Sequence, residues 1–313
     1  MQTFNRLTRR GLVLGGLGLV LTTAGARAQA EAPLPIVASF SILADITRQV
    51  GGARVAVTSI VGPNQDAHVF QPSPADARKL AAARLVIVNG LGFDAFMDRL
   101  VKASGAKLTP VVASAAITPL KAGAEKGHKG HDHGHASSAS DPHAWQSVAN
   151  AKAYARSIAA ALTAVDPAGK TAYDANLAAY LAKLDALDAD IRAAVATIPA
   201  DRRAVATTHD AFGYFAADYG VRFLALQGIS SDAEPSAADL ARIIRQVKSL
   251  KAPAVFLENV IDPRKAERIA RETGAKIGGT LYSDSLSVEN GPATTYIDLM
   301  RHNARQLTEA LKP

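Results

Sequence analysis

The stretch Thr171–Thr197, TAYDANLAAYLAKLDALDADIRAAVAT, contains neither proline nor glycine. Leu177, Leu181, Leu184, Leu187, Ile191 and Val195 recur along it at steps of three and four residues. That spacing places apolar side chains on one face of a helix. Unbroken, the helix would run roughly 40 Å at 1.5 Å per residue. A small domain needs nothing so long, so the stretch predicts a rigid strut joining two bodies.

The same alternation of strand and helix reads on either side of the strut. Before it, Leu34–Ser39, Arg54–Val61, Leu85–Asn89 and Val111–Ala113 have the apolar, β-branched character of strands. Between them, Ile42–Val50, a segment from Ser73-Pro74-Ala75-Asp76 to Ala83, Phe93–Ala103 and Gln146–Val165 read as helices. After Pro199 the strands are Ala204–Thr208, Arg222–Leu226, Ala254–Leu257 and Ile277–Leu281. The helices there are Ala211–Tyr219, Ser236–Leu250 opened by Glu234-Pro235-Ser236, Pro263–Thr273 and Ala293–Leu311. Such alternation implies parallel sheets covered on both faces. The predicted fold is α/β, with two Rossmann-like lobes joined by a long rigid helix. The lobes are residues 31–168 and 199–313, with the linking helix at 169–198. A chain of 313 residues, 48% hydrophobic, has enough apolar material for both.

Residues 1–30 stand apart. Arg6, Arg9 and Arg10 open them, an apolar run covers Gly11–Ala24, and small residues follow to Ala30. This is the pattern of a signal peptide cleaved after Ala28 or Ala30. Its apolar run is short for a membrane span. Arg9-Arg10 before Gly11-Leu12-Val13 has the form of a twin-arginine signal, and an ordinary Sec signal carrying two arginines is the other reading. Both take the mature chain out of the cytoplasm, and the lack of an anchor cysteine fits a free periplasmic protein. Cysteine is absent, so the sequence predicts neither a disulfide nor a lipid anchor. The formal charge of +7 shrinks to +3 without residues 1–30, with 31 basic side chains left against 28 acidic ones. Neither that balance nor any basic stripe with interleaved aromatics supports nucleic-acid binding.

The eight histidines fall into three groups. His128, His131, His133 and His135 lie in Lys121–Ser140, a Gly/His/Lys/Ser/Ala segment without apolar period that reads as a mobile loop. Four histidines within eight positions chelate divalent metal readily, though a weakly chelating tail without a designed role has the same composition. His302 sits in the last helix and reads as a surface residue. His68, His143 and His209 each stand beyond a strand or at a loop tip, and Asp284 follows the last strand. Ligands of open α/β sheets gather at the carboxyl ends of strands. Three imidazoles and a carboxylate would make a tetrahedral site suited to zinc. The bland alternative is three solvated histidines and a turn-forming aspartate, because no short motif ties the four together.

Five segments carry a resemblance. They are Asp66-Ala67-His68-Val69-Phe70-Gln71-Pro72-Ser73, Asp141-Pro142-His143-Ala144-Trp145, Thr208-His209-Asp210-Ala211-Phe212, Phe256-Leu257-Glu258-Asn259 and Leu281-Tyr282-Ser283-Asp284-Ser285-Leu286. In this order they resemble the metal-binding solute-binding proteins of ABC importers, the cluster A-I family of periplasmic zinc and manganese receptors, over residues 35–311. The resemblance implies two α/β lobes joined by one long helix, with the metal between them. It implies ligands at His68, His143, His209 and Asp284. Manganese and iron receptors of that family typically carry glutamate at the third position, where this chain has His209, so the resemblance favours Zn2+. The histidine-rich loop before His143 and the tail Gly279–Leu311 also resemble the zinc branch. Some zinc members use water in place of the carboxylate, which leaves Asp284 or water as fourth ligand.

The resemblance further implies a non-enzymatic, monomeric receptor that delivers zinc to a cognate ABC permease in the inner membrane. A periplasmic metallochaperone is a further candidate partner. The long helix resists a large hinge motion, so capture is expected to depend on loops near His68, His143 and Asp284 ordering around metal. The competing readings are a manganese or iron receptor of the same family, a zinc hydrolase with Asp284 as base, an adhesin-like protein, and a zinc buffer centred on the loop. Trp145 reads as a packing residue over the pocket. Glu258, at a strand end, reads either as a hydrogen-bond partner of a ligand or as a carboxylate pairing with nearby backbone or an arginine.

Overall fold

Both halves of the chain build a four-stranded parallel sheet with the same strand order. We describe the protein from a computed structural model, which defines Met1 and residues 32–122, 140–232 and 235–312. The expected signal peptide, His128, His131, His133, His135 and Glu234 lie outside the described residues.

In the first half the strands are β1 (Leu34–Phe40), β2 (Val55–Val61), β3 (Leu85–Val88) and β4 (Val111–Val112), ordered β2-β1-β3-β4. In the second they are β5 (Ala204–Thr207), β6 (Arg222–Ala225), β7 (Ala254–Glu258) and β8 (Lys276–Leu281), ordered β6-β5-β7-β8. Every pairing is parallel. In each sheet the strand order reverses beside the first strand, between β1 and β3 and between β5 and β7. The carboxyl ends of strands at such a switch point form a ready crevice for a ligand.

The helices follow local signals closely. Those of the first half are α1 (Ser41–Gly51), α2 (Pro74–Ala81), α3 (Phe96–Ser104) and α4 (Val148–Val165). Helix α2 opens with a complete capping box between Ser73 and Asp76 and has Pro74 in its first turn. The start expected at Phe93 is displaced to Phe96 by the turn before it. Gly90, Leu91 and Gly92 all have positive φ, and the Asp94 carboxylate accepts the amides of Asn89 and Gly90 at 2.6 and 3.1 Å. A side chain at Gly90 would meet Val112 at 2.5 Å. Phe93 is thereby turned inward, edge-on to Phe40 and Trp145.

The stretch read as a strut forms one unbroken helix, α5 (Lys170–Ala196). Its buried side chains are Tyr173, Tyr180, Leu184, Leu187, Ile191 and Val195, with Leu177 and Leu181 only half-buried. The two tyrosines thus replace two of the expected leucines on the buried face. The second half adds α6 (Gly213–Tyr219), α7 (Ala237–Ser249), α8 (Pro263–Thr273) and α9 (Tyr296–Leu311). Helix α5 packs along α1 and α4 of the first half and along α6 and α9 of the second.

The two sheets do not keep separate cores. One apolar cluster runs from β1, α1 and α4 through α5 to Phe212, Phe215, Phe256, Leu281 and α9. A smaller cluster, including Leu224, Ile243, Val247 and Ile269, lies where α7 and α8 cover the second sheet. From Pro33 onward the chain is one compact unit. Among the described residues no helix is long and apolar enough to cross a membrane.

His302 corrects the sequence reading. Its turn of α9 faces β8, so the side chain is buried rather than on the surface. Its Nε2 lies 2.9 Å from the Thr280 carbonyl, and its ring packs edge-on to Tyr282. Burial pushes its pKa down, which favours the neutral ring.

Candidate metal centre

The four residues singled out in the sequence come from four separate segments and meet at one point. His68 stands on the connection after β2, which turns through Asn64 in the left-handed region. The Asp66 carboxylate accepts the His68 amide at 2.8 Å. The same Asp-x-His device recurs at His143, where Asp141 Oδ1 accepts the backbone amide at 2.9 Å and lies 2.8 Å from Nδ1. A carboxylate on Nδ1 fixes the tautomer, so that Nε2 presents its lone pair to the centre.

His209 follows β5 directly. Glu258, at the end of β7, holds it in two ways. Its Oε1 accepts the amides of Thr208 and His209 at 2.8 and 2.9 Å, and its Oε2 lies 2.5 Å from His209 Nδ1. The backbone reading of Glu258 holds, and its second oxygen also lies against the ring of a candidate ligand. The β7–β8 register shifts between Val255 and Leu257, just before Glu258. Such irregularities re-aim side chains beside functional sites.

Asp284 follows β8, yet its turn is fastened mainly to the first half of the chain. The Ser283 carbonyl accepts Trp145 Nε1 and Gln146 Nε2, both at 2.8 Å. The Leu286 amide donates to Ser41 Oγ at 3.0 Å, and its carbonyl accepts the Asn64 amide at 2.9 Å. From α9, the Asn303 side chain binds both the amide and the carbonyl of Tyr282. Trp145, fully buried, packs against His143 as expected, but it also positions the Asp284 turn. That second role, like those of Gln146 and Asn303, has no signal in the sequence, because each partner lies more than 20 residues away.

The donor atoms lie within 4.8 Å of one another. His68 Nε2 is 3.3 Å from His143 Nε2 and 3.2 Å from Asp284 Oδ2. His209 Nε2 is 3.2 Å from Asp284 Oδ2, and His143 Nε2 is 3.6 Å from Asp284 Oδ1. A tetrahedron with metal–ligand bonds of about 2.0–2.1 Å has edges of about 3.3 Å, and these four separations bracket that value. The Asp284 side chain is fully buried and neither oxygen has a well-aligned hydrogen-bond donor; imidazole nitrogens face them instead. A buried carboxylate without donors is costly unless a cation compensates it.

Electrostatics reinforce that reading. Burial alone would push the His209 imidazole down, but the Glu258 and Asp284 carboxylates raise it well above the ordinary histidine range. Burial alone would raise Asp284, but His209 and His143 hold it well below the usual carboxylate range. A proton on His209 thus supplies positive charge where a cation would. Because Glu258 fixes His209 through ring and backbone, Glu258→Gln is expected to weaken metal binding by about 10–100-fold, the usual cost of losing a partner behind a ligand. Chelator-competition titration would read this, and an unchanged affinity would remove Glu258 from the site's support. The loop histidines His128, His131, His133 and His135 lie outside the described residues, but the segment's base is defined. Lys121 and Ser140 pair as an antiparallel bridge, three residues before His143 at its nearer end.

Comparison with known proteins agrees with this architecture. The family model for the zinc-uptake complex component A, periplasmic, matches residues 36–310. The iron-binding protein YfeA of Yersinia pestis is 36% identical over 265 residues, covering 85% of this chain and 82% of that protein. The manganese-binding lipoprotein MntA of Halalkalibacterium halodurans is 33% identical over 279 residues, covering 89% of this chain and 88% of the relative. The solved periplasmic zinc-binding protein TroA of Treponema pallidum superposes with a TM-score of 0.80 at 27% identity, covering 90% of this chain and 99% of that one. The chain belongs to the zinc-uptake complex component A family, the metal-binding periplasmic solute-binding proteins of ABC importers.

Proposed function

We propose that this protein captures Zn2+ between its two sheets, through His68, His143, His209 and Asp284, and delivers it to a cognate ABC permease. The observation that carries the reading is the donor set. Three imidazole nitrogens and one carboxylate lie within 4.8 Å of one another, four of their separations falling at 3.2–3.6 Å, and only His68 keeps any side-chain exposure. Nitrogen-rich, four-donor sites favour zinc, whereas manganese prefers oxygen-rich coordination. In this reading residues 1–30 are the export signal, 31–168 and 199–313 are the lobes, and 169–198 link them. The protein acts as a periplasmic carrier and turns nothing over. The histidines of the 121–140 segment collect metal as an accessory, more weakly than the preorganised site.

A second reading has its own support. The relatives described above include proteins named for iron and for manganese, and Asp284 presents both oxygens to the histidines. A bidentate carboxylate would add a fifth donor and suit those metals better. Competitive chelator titration separates the two, using the intact chain beside one lacking residues 121–140. The zinc reading expects one tight zinc equivalent in both forms and displacement of bound manganese by equimolar zinc. Retention of manganese or iron against equimolar zinc would assign the chain to the second reading. Loss of tight binding with the segment would move the function to the loop.

A further inference from the structure

The four candidate ligands are supported as three and one. His68, His143 and Asp284 share a frame, because the Asp284 turn is bonded to Trp145, Gln146, Ser41 and Asn64. His209 stands apart just after β5, held by Glu258 of β7. One short segment after β6 touches both groups. At its start the Gln227 amide donates to the Thr208 carbonyl at 2.9 Å, and the Gly228 carbonyl accepts the Asp210 amide at 3.2 Å, so the segment flanks His209 on both sides. At its far end Ser231 Oγ donates to Asp66 Oδ2 at 2.5 Å. Asp66 is the residue whose other oxygen fixes the His68 amide. A single carboxylate therefore joins the turn bearing His68 to the segment flanking His209, across 165 residues of sequence.

The position of this contact matters. Among the four side chains only His68 retains solvent exposure, at 7%. His68 is therefore the candidate ligand nearest solvent, and Asp66, which accepts its amide, lies on the same turn. Other crossings nearby include an exposed one, from Asn259 Nδ2 beside Glu258 to Asn64 Oδ1 at 3.1 Å, and one from the Tyr214 hydroxyl to the Asp141 carbonyl, buried beside the shared apolar core. The Asp66–Ser231 contact is only partly buried and can open without disturbing that core.

We infer that Asp66 and Ser231 are positioning residues that set how fast the cargo metal leaves, by holding the segment that flanks His209 against the turn that bears His68. The inference rests on the metal-carrying reading above. Breaking this hydrogen bond to a carboxylate is expected to speed release about tenfold, a change of about 1.4 kcal/mol in the barrier.

The test is stopped-flow release of zinc from the intact chain into excess chelator. Ser231→Ala is expected to release zinc about tenfold faster, while Ser231→Thr, which keeps the hydroxyl, and Ser230→Ala beside it stay near the parent rate. Asp66→Asn is also expected to speed release, and adding Ser231→Ala to it should add nothing, the signature of one shared interaction. The melting temperature of the metal-free protein should barely move in Ser231→Ala, which separates a latch from general loosening. An unchanged rate in Ser231→Ala, equal acceleration in Ser230→Ala, or additive effects in the double variant would overturn the inference. Absence of a tight zinc equivalent in the parent chain would instead overturn the metal reading itself.

Discussion

Replacing His209 by alanine should weaken zinc binding by more than a hundredfold. A structural zinc site with four protein ligands contributes about 10–16 kcal/mol, so one ligand accounts for about 3 kcal/mol, or roughly two powers of ten. The loss reaches further at this position than at His68. Glu258 is buried and directs Oε2 at the His209 ring, so the truncation leaves a carboxylate facing a cavity. Removing one member of a buried charge pair is strongly destabilising. The metal-free variant is therefore expected to melt lower than the parent as well as to bind poorly. Chelator competition and thermal unfolding read the two effects separately. An affinity within tenfold of the parent would remove His209 from the ligand set.

The second large effect is on pH. In the metal-free protein the raised pKa of His209 favours the protonated ring, and the lowered pKa of Asp284 favours the carboxylate. A metal must displace that proton, so zinc affinity should fall about tenfold per pH unit, and about a hundredfold from pH 7.5 to 5.5. Stability of the metal-free fold runs the other way. A group whose folded pKa is raised contributes stability that is fully present below its unfolded value near 6.5 and is lost as pH rises through the folded value. The melting temperature without metal should therefore decline as pH climbs above 6.5, while the increment from saturating zinc should grow. Asp284, with its pKa lowered, keeps its contribution throughout this window and loses it as pH falls through its lowered folded value. A flat affinity across the range would contradict imidazole ligation at His209.

Much of this molecule was legible before any coordinates. The period of Leu177, Leu184, Leu187, Ile191 and Val195 marks α5, and the apolar runs with their caps mark the eight strands and the helices between them. These signals are local, because backbone hydrogen bonding and one-sided burial act over a few residues. Departures cluster where a side chain or a packed neighbour overrides the local pattern. Phe93 was expected to open α3, but the Asp94 side chain takes the Asn89 and Gly90 amides and forces a turn. His302 looked like a surface residue because the packing of α9 against β8 has no local mark.

For the candidate site, residue types and their places after strands pointed to His68, His143, His209 and Asp284. Whether they converge could not be read from spacing, since they span 217 positions without a common motif. The sequence by itself determined two parallel sheets, a continuous helix between them, and a short inventory of candidate metal donors. The tertiary structure alone decided that the four candidate donors meet within 4.8 Å, that the Asp284 turn is held by Trp145, Gln146 and Ser41, and that Asp66 reaches Ser231. The reason is physical. Helix and strand follow from interactions between near neighbours, whereas a ligand's aim is set by hydrogen bonds from segments that only the packed core brings alongside.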